Sequence, residues 1–220
     1  MEEKKRIVIL TADAGFGHRS AANAVAAALQ QKYGDKCEIK IINPLEDRRA
    51  PFYLRDSGAD YDRILRLSPD LYKLSYEASD NEIPSLLLEN VLTLGLYEIM
   101  RDLICAEKPD AIVSTYPLFQ APLTNYFKLN RYYVPLTLVV TDLVTVHRIW
   151  FSPGVDVCMV PTMEVHDLAV SNGIAQNKIH ITGIPVSPAF SGRHPAKKEL
   201  RKKLGWDSKL PTVLAVGSRR

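Results

Sequence analysis

Residues 12–20 read Ala-Asp-Ala-Gly-Phe-Gly-His-Arg-Ser and follow the short apolar run Arg6–Thr11. A glycine-bearing turn between a strand and a helix points backbone N–H groups and the helix N-terminus at one place, which suits a phosphate or a developing oxyanion. The same glycines also serve a tight turn that needs nothing but φ > 0, so the turn alone does not decide. His18 adds the chemistry. An imidazole titrates near ~6.5 and can take a proton from an alcohol at neutral pH, and a helix N-terminus keeps it neutral. His18 is thus the candidate general base, with Gly15, Phe16 and Gly17 forming the loop beside the reacting groups. A histidine packed under the loop for structure alone is the competing reading. Two nucleotide motifs are excluded. No Gly-Lys-Ser/Thr follows, so there is no P-loop. Gly15-x-Gly17-x-x-Ser20 lacks the third glycine, and the second strand ends in Asn43 where a dinucleotide site needs an acid.

A second cluster, Thr141-Asp142-Leu143 with His147 and Trp150-Phe151, follows the apolar run Pro135–Thr141. That places it on the carboxyl-end rim, where α/β sheets bind ligands. Asp142 has the chemistry to orient an imidazole, and equally that of a turn cap. His147 and Trp150 are candidates for the same rim. His166 and His180 fall in helix-like and strand-like patterns and read as structural, and His194 belongs to a basic linker. No grouping of His, Cys and Asp has metal-ligand spacing, so no metal is expected. Residues 44–83 break the pattern with Arg48, Arg49 and Arg55 among Phe52, Tyr53 and Tyr61. An anionic bilayer surface selects such side chains. Single-stranded nucleic acid would select similar ones, but Asp56, Asp60 and Asp62 dilute the charge. An insertion packed on the domain is the plain alternative.

The elements that must position these residues alternate strand and helix. Strands are predicted at Arg6–Thr11, Glu38–Asn43, Ala111–Thr115, Pro135–Thr141, Asp156–Val160 and Lys178–Thr182. Helices are predicted at Ser20–Tyr33, near 84–106, and around 118–128 and 163–172. Continuous apolar strands between helices mean a parallel sheet covered on both faces. The chain is 220 residues, 46% hydrophobic and 24% charged, ordinary globular material. A net charge of +3 is too small for a dedicated nucleic-acid binder. Cys37, Cys105 and Cys158 form no C-x-x-C pair and no disulfide framework, which suits a reducing cytosol. The start MEEKKRIVIL has the pattern of neither signal peptide nor anchor.

Asp13-x-Gly15-x-Gly17-His18-Arg19-Ser20-Ala21-Ala22 resembles the N-terminal motif of the monogalactosyldiacylglycerol synthases and the related processive diacylglycerol glucosyltransferases. Thr141-Asp142-Leu143 with His147 and Trp150-Phe151, and Thr182-Gly183-Ile184-Pro185-Val186 with Phe190, support the resemblance, which covers essentially the whole chain. It implies two facing Rossmann-like domains, the GT-B architecture, with lipid acceptor bound by the first and UDP-sugar by the second. It further implies an inverting, metal-free hexosyl transfer to diacylglycerol, with UDP-sugar as donor substrate, no cofactor, and the motif histidine as base, here His18. The protein would be cytoplasmic and peripheral, on the inner face of an anionic membrane, with no nucleic-acid partner. Phe16 departs from the family's usual glycine, which bears on how closely a diphosphate approaches.

Residues 1–192 are then the acceptor-binding domain, with 44–83 as the membrane-facing insertion. Residues 193–220 comprise the basic linker and, at Thr212–Val216, the first strand of a donor domain that the chain breaks off. On that expectation the chain alone is inactive. A different lipid or sterol-like acceptor, or a non-catalytic nucleotide- or partner-binding module, are the alternatives.

Overall fold

The computed structural model describes residues 4–13, 16–51, 54, 82–192, 195–207 and 209–215. Gly15, Phe52, Tyr53, Arg55, His194 and the stretch 55–81 lie outside them, as does the side chain of Phe16.

One parallel sheet forms the centre, in the order β2-β1-β3-β4-β5-β6. Its strands are β1 Lys5–Leu10, β2 Cys37–Ile42, β3 Ala111–Ser114, β4 Leu136–Val139, β5 Val157–Val160 and β6 Ile179–Ile181. The helices are α1 Phe16–Tyr33, α2 Glu82–Glu107, α3 Gln120–Asn130, α4 Met163–Ser171 and α5 Lys197–Lys203. The predicted strand–helix alternation is therefore the observed one. The edge strand β2 carries exposed Glu38 and Lys40 on its open side. The interior strand β4 is Leu-Thr-Leu-Val and almost wholly buried, as a strand covered on both faces should be. None of the helices among the described residues is long and apolar enough to cross a membrane.

The strand order has one consequence for function. The chain passes from β1 to β2 on one side, then returns to place β3 on the other side of β1. Loops after β1 and β3 consequently diverge and leave a crevice at the carboxyl ends of those strands. Register fixes its floor. Leu10 lies opposite Ser114, and the Thr115 N–H donates to Leu10 O at 2.9 Å. Below it, Val8, Leu10, Ile112, Leu136 and Leu138 pack in one core with Leu96, Met100, Phe119, Leu123 and Trp150. Elsewhere, α1 lies against β1 and β2, and its buried Ala21, Ala22 and Ala24 permit that close approach.

Three expectations change. Helix α1 starts at Phe16 rather than Ser20, so His18 is part of its first turn. Residues 211–215 form no strand, and Val213 and Leu214 are 90% and 81% exposed. A strand exists through its neighbours, and nothing among the described residues pairs with this run. The basic segment is not wholly solvated either. Arg201 is buried and donates to Asp207 O, Leu210 O and Thr212 Oγ1 at 2.5, 2.7 and 2.6 Å.

Close packing on α3 sets a steric limit at Gly154, where a Cβ would lie 2.6 Å from Thr124 Cγ2. Gly154→Ala is expected to destabilise by about 1–3 kcal/mol, a fall in Tm of roughly 2–12 °C, with Thr124→Ser recovering part of it. An unchanged melting curve would contradict this packing.

Candidate functional site

Adjacent strands β1, β3 and β4 each deliver residues to the crevice. After β1 comes the glycine turn and His18. After β3 come Thr115 and Tyr116. After β4 come Thr141 and Asp142, then a 3₁₀ turn at Arg148–Trp150.

His18 is half-buried, and its Nδ1 lies 3.0 Å from Thr115 O and 2.9 Å from Thr141 Oγ1. Its ring meets Tyr116 edge-on, with centroids 4.9 Å apart and planes at 85°. On another side it faces the Trp150 indole at 5.8 Å. Trp150 is 1% exposed, and its Nε1–H donates to Asp142 Oδ2 at 2.7 Å. Burial pulls the His18 pKa below the ordinary histidine value of 6.5, while the Asp142 charge and the Thr115 carbonyl oppose that shift. The result is an imidazole that stays neutral at neutral pH, next to a carboxylate that favours its cation.

The glycine turn is clasped across its two ends. Arg19 Nε and Nη2 donate to Asp13 Oδ1 and Oδ2, each at 2.8 Å. Asn43 Nδ2 reaches Asp13 Oδ2 and Glu46 Oε1, both at 3.3 Å, which ties the clasp to the end of β2. The Arg19 bond is the main reason the Asp13 carboxyl stays below its usual range. Between them, Gly17 is exposed, and a Cβ there would meet nothing within 4 Å. Packing therefore does not require this glycine.

The structure brings His18, Asp142 and Trp150 together, as the sequence suggests, but gives the latter two other contacts. The orienting bonds to His18 Nδ1 come from Thr115 and Thr141, and Asp142 acts through its charge while holding the indole. Trp150 is not a rim residue. It is buried against the imidazole and fixes the carboxylate. His147 is also buried, and its Nδ1 accepts the Ile149 N–H at 3.1 Å, which caps the 3₁₀ turn. His166 pairs with Asp167, and His180 is exposed on β6. Sequence reasoning assigned no role to Thr115, Tyr116 or Thr141. Their one signal was polar residues closing apolar runs at the carboxyl-end rim.

Residues 48 and 49 bear on the surface reading. Arg48 is exposed. Arg49 instead pairs with Asp47 at 2.8 Å and with Asp102 of α2 at 2.6 Å. Its guanidinium, with its backbone N–H, holds the Asp47 carboxyl at about 2. It pins the Pro44–Glu46 turn region to α2 more directly than it offers charge to a membrane.

Comparison with known proteins gives this geometry a lineage. The family model described as monogalactosyldiacylglycerol (MGDG) synthase matches residues 18–186, from His18 through Val186. A probable monogalactosyldiacylglycerol synthase of Glycine max is 32% identical over 98% of this chain and 41% of its own length. The monogalactosyldiacylglycerol synthase of Spinacia oleracea is likewise 32% identical over 98% of this chain and 41% of its own. Monogalactosyldiacylglycerol synthase 3 of Arabidopsis thaliana is 33% identical over 98% and 46%. The chain thus spans less than half the length of these curated relatives. Among solved structures, a MurG from Acinetobacter baumannii aligns with 90% of this chain and 47% of its own at 15% identity, with a TM-score of 0.42, too low to add to the assignment. With a matched region that opens on the histidine of the crevice and runs through all six strands, this chain belongs to the monogalactosyldiacylglycerol synthase family.

Proposed function

We propose that residues 1–192 are the acceptor-binding domain of an inverting GT-B glycosyltransferase that moves a hexose from a UDP-sugar to diacylglycerol. In this reading 193–220 lead into the donor domain. The observation that carries it is a neutral, oriented imidazole at the crevice of the β1/β3 reversal, in a chain of this family. The His18 imidazole takes the proton of the acceptor hydroxyl as that oxygen bonds to the anomeric carbon. The carbon–oxygen bond to the diphosphate breaks on the opposite face, and UDP leaves with the electron pair. Asp142, near His18 and held by Trp150, stabilises the imidazolium that results. The open space beside Gly17 lets the reacting groups approach the first turn of α1, whose free N–H groups favour negative charge. No step calls on a metal or a cofactor.

Both substrates must be held together for transfer, so the 220-residue chain has no turnover by itself. Membrane contact belongs to the same reading. Arg48, with Arg49, Phe52, Tyr53 and Arg55 of the insertion, would bring the crevice to a peripheral position on an anionic surface, where diacylglycerol lies. Binding to vesicles should then rise with anionic lipid and fall with salt, more weakly in Arg48→Ala. Equal binding to neutral and anionic vesicles would leave these residues to packing.

In the full-length enzyme, His18→Ala is expected to lower kcat by ~10²–10⁴-fold and to abolish the acidic limb of the pH–rate profile. That limb reports loss of the neutral base. Because burial lowers the His18 pKa, it falls below the ordinary histidine range. Asp142→Asn removes the charge that raises this pKa and should move the limb to still lower pH. A His18→Ala enzyme with wild-type turnover and an intact limb would refute the assignment.

Gly17→Ala separates ligand approach from packing. The added methyl meets no protein atom within 4 Å, and alanine suits a helix better than glycine by up to about 1 kcal/mol. Stability should hold or rise while transfer falls. Full activity in the variant would show that nothing needs the space.

A further inference from the structure

Two oxygens converge on one nitrogen of His18, and their chemistry differs. Thr115 O, 3.0 Å from Nδ1, is a carbonyl and can only accept. The contact is a hydrogen bond only if Nδ1 carries a proton. Thr141 Oγ1, 2.9 Å from the same nitrogen, is a hydroxyl and can take either role. Were it to donate, Nδ1 would present a lone pair, and that lone pair would face the carbonyl oxygen at 3.0 Å. The arrangement without this repulsion has Nδ1–H shared between both oxygens.

Thr115 holds the histidine a second time. Its Oγ1 lies 3.1 Å from His18 O and 3.3 Å from Leu10 O. Leu10 O already accepts the Thr115 N–H at 2.9 Å, so the hydroxyl proton is better used by His18 O. Thr115 is 0% exposed, and no solvent competes for that proton. The imidazole and the backbone that carries it are therefore both tied to the residue closing β3.

We propose that Thr115 and Thr141 are positioning residues that fix His18 as its Nδ1–H tautomer, leaving Nε2 as the nitrogen that takes the acceptor's proton. The role of Nε2 rests on the transferase reading above; the tautomer does not. During transfer the hydroxyl proton passes to Nε2, Nδ1 keeps its own, and the two oxygens share the charge of the imidazolium. A free histidine in water prefers the other tautomer, so without this cradle the reactive nitrogen would mostly be protonated and unable to act.

Imidazole ¹⁵N spectra of the 220-residue chain test this without turnover. Above its titration midpoint, wild-type His18 should show a protonated Nδ1 and a bare Nε2. Asp142 is the charged group acting on His18 from the loop after β4, and Tyr116 is the titratable ring against it from the loop after β3. Both are unchanged in the variants. Thr141→Val removes one acceptor of the cation's Nδ1–H, so the midpoint should move to lower pH with the tautomer retained. Thr141→Ser should restore it. In the full-length enzyme Thr141→Val should lower kcat roughly tenfold with KM little changed, the scale of one hydrogen bond to a charged group. A protonated Nε2 in the wild-type spectrum overturns the proposal even if no variant folds. An unmoved midpoint in folded Thr141→Val overturns it too. The His18→Ala kinetics judge the transferase reading separately.

Discussion

The Thr115 N–H to Leu10 O bond is the contact on which the crevice depends. It extends the β1–β3 ladder by one residue beyond its last paired positions and so fixes how far apart the two outgoing loops begin. From that point β1 feeds the glycine turn and α1, while β3 feeds the loop that carries Tyr116 and the start of α3. Because β2 lies on the far side of β1, the two loops part. Everything around His18 follows from a strand order that reverses here, with β4 alongside to bring Thr141 and Asp142 within reach.

Two opposed effects then set the character of the imidazole. Withdrawal from water favours the neutral ring, and the Asp142 carboxylate favours the charged one. Neither is extreme, because the ring is only half-buried and the carboxylate shares its charge with the Trp150 indole N–H. A fully buried ring with no carboxylate would be too weak a base. One bonded directly to a free carboxylate would hold its proton too well. The indole is thus as much a part of the electrostatics as of the core.

Much of this was legible in the residue order. Apolar runs of strand length, a glycine turn followed by histidine, and alanine-rich spacing on α1 locate the sheet, the turn and the base. Other features depend on neighbours that a linear reading does not show. Thr115 acts through its backbone oxygen, and nothing in its side-chain type announces that. Trp150 looked like a rim aromatic because its partner, Asp142, became visible only when the intervening loop folded back. Arg201 lies in a run of lysines and read as solvated, yet it is the one member of that run that turns inward. Thr212–Val216 has strand composition, but composition cannot supply a partner strand. Arg49 likewise looked available to a membrane until Asp102, far along the chain, came beside it.

The Arg201 cluster also shapes how the end of the described chain behaves. One planar guanidinium collects acceptors from residues 207, 210 and 212, and none of these is a carboxylate. The fork matches several oxygens at once, which a lysine's point charge cannot do. Release of any one acceptor leaves a buried cation short of partners, and that makes the next release easier. Residues 207–212 are therefore coupled through a single side chain, and the segment opens as one cooperative unit instead of fraying from its tip.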